Sequence, residues 1–289
     1  MRVRFWGVRG AFASTQADTL RVGGNTPCVE VRDKNDELVI LDAGHGLYWL
    51  GKQLLTGPLG RGKGRVTLLL SHTHWDHIQG FPFFVPAFLP GNNVVVWGPG
   101  GEQLHAVLAG QLDPTYSPLV SMDNFAAKIE VNELAAGQQL TLGKLTVRHA
   151  MLENGEHHTV GYRIREGQHS LAYLPEVHHP GGQLSATALE LARGCDVLIH
   201  ETYYSPAQLA AGGVSLGGPS APPASGHSSF TQAVDLALAA GVKRLLCFYH
   251  HPDRPDAEVE ALMQAERERI GSKVELEIDT AREGAEFEL

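Results

Sequence analysis

Residues 65–80 read RVTLLLSHTHWDHIQG. The first six form an apolar run of strand length. Three histidines and an aspartate then fall within six residues, where the chain must turn. His72 and His74 are two apart, so on an extended segment their side chains share a face. Asp76 and His77 follow at the turn. The set offers imidazole nitrogen to one divalent ion, and carboxylate plus imidazole to a second. Two metals about 3.5–4 Å apart clamp the attacking and leaving oxygens of a phosphoester and generate hydroxide near neutral pH. The plain alternative is a histidine-rich surface turn. The HxHxDH spacing directly after an apolar strand argues against it.

The whole chain sets bounds on this reading. It has 289 residues, 43% of them hydrophobic, enough for one large core or two small ones. The formal charge of −9, from 23 basic and 32 acidic residues, disfavours extended nucleic acid, whose phosphates need Lys and Arg. Cys28, Cys195 and Cys247 are odd in number and far apart. They read as buried thiols in a reducing compartment. MRVRFWGVRG at the start lacks the pattern of a signal peptide. No run of about 18 apolar residues suggests a membrane span. The expected location is the cytoplasm.

Outward from residue 65 the chain alternates short strands and helices. RVRFWGV, PCVEVR, ELVILDAG and VVVWGPGG read as strands, and LYWLGKQLL and EQLHAVLAGQL as helices. KIEVNEL, KLTVRHAML, TVGYRIRE and SLAYLPE continue the β pattern. Then LSATALELARG, FTQAVDLALAAG and PDAEVEALMQAERERI alternate as helices with the strands CDVLIHE and VKRLLCFYH, and VELEI closes the chain. Two halves of this kind predict two packed sheets with helices outside, in one domain over 1–289. Gly212–Gly226 is rich in Gly, Pro and Ser and is expected to be a mobile loop. VGGNTP and DAGHG read as tight turns in which glycine supplies positive φ. Asn25 and Thr26 are expected to fix a loop near the site.

HTHWDH resembles the signature of the metallo-β-lactamase-fold hydrolases. GGNTPCVEV, LDAGHG, GYRI, LIHET, GHSSFTQAVDLA and LCFYHHPDRPD occur in the order found in the ribonuclease Z and phosphodiesterase-like branch. The resemblance spans nearly the whole chain. It implies an α/β fold, a four-layer αβ/βα sandwich, with the site at strand ends between the sheets.

It also implies further ligands. CFYHHPD offers His250 or His251 as the last histidine, with His250 the better match. Glu176 in YLPE stands where the family has a bridging aspartate. Gly155 occupies the register of the third histidine, so His157 or His158 would supply it; HTVG resembles the HTPG of lactamase relatives and favours His158. His149 is a more distant option, and His178 and His179 lie close to Glu176. His227 in GHSS resembles the family histidine that protonates the leaving group, a task that suits a pKa near neutral; its plain alternative is a neighbour of a helix N-cap. His200 and Glu201 are expected to orient the ligands, and Asp42 to be a structural carboxylate beside them.

The implied activity is metal-dependent hydrolysis of a small or cyclic phosphodiester. A hydroxide bridging two divalent ions, zinc first and manganese or iron next, would attack phosphorus in line, with Asp76 and His227 catalytic. A small-molecule phosphodiester is the expected partner, with no membrane, and relatives commonly form homodimers. The alternatives are a lactonase or thioesterase, an iron redox protein, a tRNA 3′ endonuclease, or a non-catalytic metal-binding module.

Overall fold

The computed structural model describes residues 1–100, 102–117, 121–154, 157–213, 226–272 and 274–289, and at 153, 154, 157 and 158 the backbone alone. Six strands come first: β1 (Arg2–Gly7), β2 (Cys28–Arg32), β3 (Leu38–Leu41), β4 (Arg65–Leu69), β5 (Asn93–Gly98) and β6 (Lys128–Glu133). Seven more follow: β7 (Gln139–Leu142), β8 (Leu145–Asn154), β9 (His157–Glu166), β10 (His169–Leu174), β11 (Val197–Glu201), β12 (Arg244–Phe248) and β13 (Glu277–Thr280). The last, β14 (Glu286–Glu288), returns to the first sheet.

The two sheets have strand orders β14-β1-β2-β3-β4-β5-β6 and β13-β12-β11-β10-β9-β8-β7. Each is antiparallel on one side and parallel on the other: β3 to β6 run parallel, as do β10 to β13. Parallel strands need crossovers, and these carry the helices. The helices are α1 (Gly46–Leu54), α2 (Trp75–Ile78), α3 (Glu102–Gly110), α4 (Ala186–Ala192), α5 (Pro206–Ala210), α6 (Phe230–Ala240) and α7 (Asp256–Ile270). Helices thus cover the outer faces, giving the expected sandwich.

β4 shows why the layers form. Its Val66 and Leu68 pack with Leu47, Leu50 and Leu104 in an outer core. Its Leu69 joins Val3, Phe5, Tyr162, Tyr173 and Phe248 in the core between the sheets. A strand apolar on both faces is buried on both. The sheets are also tied directly: Tyr162 Oη donates to Leu70 O at 2.6 Å, and Val160 N to Ser71 O at 2.8 Å.

Several expectations are corrected. β7, α5 and β14 were not anticipated, and the last parallel strand begins at Glu277, inside VELEI, and runs on to Thr280. In DAGHG the positive φ belongs to Asp42, at 60°, while glycine is required at Gly44 because a Cβ there would meet Asp76 O at 2.3 Å. The Gly212–Gly226 loop falls on 214–225, outside the described residues. The three cysteines are buried and unpaired. No helix among the described residues is long and apolar enough to cross a membrane.

Candidate metal centre

The C-terminal ends of β4, β10, β11 and β12 meet at one edge of the sandwich, where chain leaves parallel strands and side chains can converge. After β4, Ser71 N and Oγ donate to Asp42 Oδ1 and Oδ2 at 2.7 and 2.9 Å. Tyr173 Oη adds a bond to Asp42 Oδ2 at 2.7 Å. The same oxygen lies 2.9 Å from His77 Nδ1. Asp42 therefore holds the His77 ring and turns Nε2 toward the site.

His72, His74 and His77 cluster tightly. The His72 ring lies 4.4 Å from that of His74 and 4.1 Å from that of His77. Glu176, just past β10, places Oε1 3.3 Å from His72 Nε2, 3.6 Å from His74 Nδ1 and 3.7 Å from His77 Nε2. Donor atoms of His72, His74 and Glu176 all lie within 4.8 Å of one another. Burial opposes ionisation of Glu176, but His72 and His227 prevail and hold its carboxyl well below the usual range. It is an anion at neutral pH, as a cation ligand must be.

The donor set fits a divalent metal. His72 Nε2 and His77 Nε2 are buried and have no hydrogen-bond partner among the described residues. Such orphaned nitrogens are costly unless something binds them. Ligand atoms each about 2.1 Å from one tetrahedral ion lie about 3.4 Å apart, which matches the spacing around Glu176.

Asp76 is held from the other side. Its Oδ2 accepts from Tyr249 Oη at 2.7 Å and Ala11 N at 3.0 Å, and lies 3.4 Å from His77 Nε2. Tyr249 follows β12 with φ 54° and packs so closely on Gly10 that a Cβ there would touch its ring at 2.6 Å.

His227 forms a pair with Glu201. Nδ1 lies 2.8 Å from Glu201 Oε2, while Val177 N donates to Glu201 Oε1. The His227 ring stacks on Tyr203 with centroids 4.2 Å apart. Burial works against the cation, but Glu201 and Glu176 outweigh it and lift His227 to about 9. Burial lifts Glu201 to about 7. Asp76 adds to the same upward pull on His227, so three carboxylates favour its imidazolium form. Tyr203 Oη is buried without a hydrogen-bond partner among the described residues.

The geometry bears on the remaining candidates. His250 stays out of the cluster: Nε2 bonds Thr280 Oγ1 at 2.7 Å and Nδ1 bonds Thr202 Oγ1 at 3.1 Å, so neither nitrogen is left for a metal. His251 is the better candidate. Its Nδ1 accepts from Asp253 N at 3.2 Å, its Nε2 is buried without a partner among the described residues, and its ring lies 4.9 Å from that of Tyr203. Glu201 carries His227, and His200 bonds Glu201 O through Nδ1 at 2.7 Å and stacks on His179. The side chains of His157 and His158 lie outside the described residues. Asn25 and Thr26 bind the His45 turn, through Asn25 Oδ1 to His45 Nδ1 and Thr26 Oγ1 to His45 N. Tyr203, Tyr249, Tyr173 and Ala11 were not foreseen, since nothing in their local pattern marks them.

Two mixed sheets flanked by helices, with a histidine and carboxylate cluster at the strand ends, define a protein of the metallo-β-lactamase fold. The chain belongs to the family described as the Beta-lactamase superfamily domain, whose model matches residues 38–251. The fold recurs in the metallo-beta-lactamase fold protein YhfI from Bacillus subtilis: 17% identity, 99% of this chain and 98% of that one covered, TM-score 0.69. Zn(2+)-bound PqqB from Methylobacterium extorquens is 16% identical over 100% of both chains, TM-score 0.68. Human tRNase Z, short form, is 18% identical over 100% of this chain and 99% of that one, TM-score 0.64. A search of curated proteins returns no match.

Proposed function

We propose that this chain is a metal-dependent phosphodiesterase acting on a small or cyclic phosphodiester. The observation that carries the proposal is the His227–Glu201 pair beside the cluster, 2.8 Å apart and stacked on Tyr203. Ester hydrolysis at phosphorus needs a proton for the departing oxygen. Glu201 engages Nδ1 and favours the imidazolium, leaving Nε2 as the donor to that oxygen as the P–O bond breaks. Two divalent ions, zinc first, held by His72, His74, Asp76, His77, Glu176 and His251, would polarise the phosphate and lower the pKa of bound water. Tyr249 and Asp42 keep Asp76 and His77 aimed inward. The tRNase Z name of one structural neighbour supports phosphoester chemistry. The β9–β10 connection supports a small substrate: only Gly167 and Gln168 separate the strands, leaving no room for an arm there.

A substrate panel tests this. The zinc- or manganese-loaded protein is expected to cleave bis(p-nitrophenyl) phosphate or a cyclic nucleotide and to ignore lactones and thioesters. His227→Ala is expected to cut kcat by about 10²–10⁴-fold. Turnover of a lactone with none of any diester would replace the proposal, and efficient trimming of precursor tRNA alone would reverse the substrate size.

A further inference from the structure

The outer face of β7 to β10 carries a cavity of about 470 Å³. It lies at the far end of the sheet from the metal centre. Ser170 in its wall is near the start of β10, whereas Glu176 lies past the other end, about 20 Å along an extended strand. Arg148, Arg163 and Arg165 line the cavity, and no Asp or Glu does among the described residues. The strand register gathers them. Arg148 pairs with Gln139 on one side and Arg163 on the other, and Arg165 with Thr146 and Ser170. Partners directly opposite in an antiparallel ladder share a face. Val147, Ile164 and Leu171, on the other face, fill the core between the sheets. α4 covers the half of the outer face nearer the metal centre, where a Cβ on Gly161 would meet Leu191 at 2.8 Å. The arginines begin at the C-terminal end of α4.

Like charges directly opposite each other weaken a sheet, so Arg148 facing Arg163 is a cost to the free chain. The flanking carboxylates do not offset it. Glu166, next to Arg165, is held by the Met1 ammonium at 2.9 Å and Lys34 N at 3.0 Å. Asp196, two residues past Gly194 in the wall, is held by Lys243 at 2.6 Å and Ser170 N at 2.8 Å. Arg163 donates to Leu191 O and Arg193 O at 3.1 and 2.7 Å, and Arg165 Nε to Gly167 O at 2.7 Å. Neutral carbonyls thus fix two of the side chains without cancelling their charge, and each keeps at least three of its five N–H donors. Arg148 makes no hydrogen bond or ion pair among the described residues. The plain alternative is a solvated basic face. On a chain of charge −9, three arginines at one concave spot, with the flanking carboxylates engaged elsewhere, argue against it. A single carboxylate would offset one charge only. A phosphate group carries about −1.5 to −2 with three acceptor oxygens, and guanidinium forks grip it bidentately. The space beyond one phosphate is faced by Thr146, Ser170 and Gln139, which suit hydroxyl groups.

We infer that this cavity binds a phosphate group, free or carried on a small polyol, at a site separate from the metal centre. The inference does not depend on the phosphodiesterase reading. Inorganic phosphate and ribose 5-phosphate are titrated by calorimetry into the metal-loaded protein at low salt. Phosphate is expected to bind with a Kd of about 1 mM or tighter, and Arg148→Glu to weaken it at least about tenfold, with metal content unchanged. Tighter binding of ribose 5-phosphate would assign phosphate on a polyol, and equal affinity would assign free phosphate; both uphold the site. In phosphate-free buffer Arg148→Glu is expected to raise Tm, because it turns a repulsion across the ladder into an attraction. Loss of a structural residue would do the opposite. Asp76→Ala separates this site from the metals: the Arg148-dependent binding is expected to survive it. Binding that Asp76→Ala abolishes and Arg148→Glu leaves untouched would put the phosphate at the metals and overturn the inference. No binding below about 10 mM, or a lower Tm in Arg148→Glu, would also overturn it.

Discussion

Tyr249 donates to Asp76 Oδ2 at 2.7 Å from a backbone held at φ 54°. A bulky residue with positive φ is a genuine outlier, and such strain gathers at sites where geometry matters. Asp42, at φ 60°, does the same service for His77. The two metal-motif residues that follow the turn are thus each braced by a residue in the left-handed region. Tyr249→Phe removes one brace and keeps the ring. Zinc affinity is expected to fall by about 10- to 100-fold with the fold intact, as read by chelator competition and circular dichroism. Unchanged affinity would show the phenol to be a bystander.

Asp42 is fully buried and accepts from Ser71 N, Ser71 Oγ and Tyr173 Oη beside its contact with His77. Asp42→Asn turns one acceptor oxygen into a donor facing donors. Breaking a buried charged network costs about 3–5 kcal/mol. The variant is expected to lose stability of that order in urea unfolding and to bind metal more weakly. A loss under about 1 kcal/mol would contradict the role assigned to this network.

The two adjacent histidines after β12 separate cleanly. His250→Ala removes one partner each from the buried Thr280 and Thr202 hydroxyls, which keep their bonds to Cys247 O and Phe248 O, and opens a cavity; it is expected to cost about 1–3 kcal/mol in all, with metal content unchanged. His251→Ala is expected to lower metal content with little loss of stability. The reverse pattern in elemental analysis would restore His250 as the ligand.

Glu283 predicts a pH effect remote from the metal. Burial lifts its carboxyl to about 7, although bonds from Asn25 N and Nδ2, and Arg9 nearby, pull it down. The folded chain then binds this proton more tightly than the unfolded chain does. Its contribution is full below the ordinary carboxyl value of 4.5 and is lost as pH rises through about 7. Tm is expected to fall between about pH 6 and pH 8, and Glu283→Gln to flatten that slope. A slope that survives the substitution would assign it to another group.

Local pattern carried much of this structure. HTHWDH stood out because its candidate ligands are close neighbours in sequence, on the loop after β4 and the start of α2, and β4 stood out because both faces are apolar. What the sequence hid is non-local or off-pattern. Glu201 and His227 are 26 residues apart and meet only because β11 and the turn before α6 converge. His250 and His251 are chemically identical neighbours, and the positive φ at Tyr249 breaks the strand alternation that would have sorted them. β7 and β14 are four and three residues long, too short for periodicity to show. β14 is instead held by its pairing with β1, where Arg2 faces Glu288 and Arg4 faces Glu286.

The most direct test of the central claim is metal stoichiometry, by elemental analysis of the purified chain before and after reconstitution with zinc. The account predicts about two divalent ions per chain, reduced in Asp76→Ala without unfolding. A folded chain that holds no ion even after reconstitution would contradict it, and the cluster of His72, His74, His77 and Glu176 would then need another purpose.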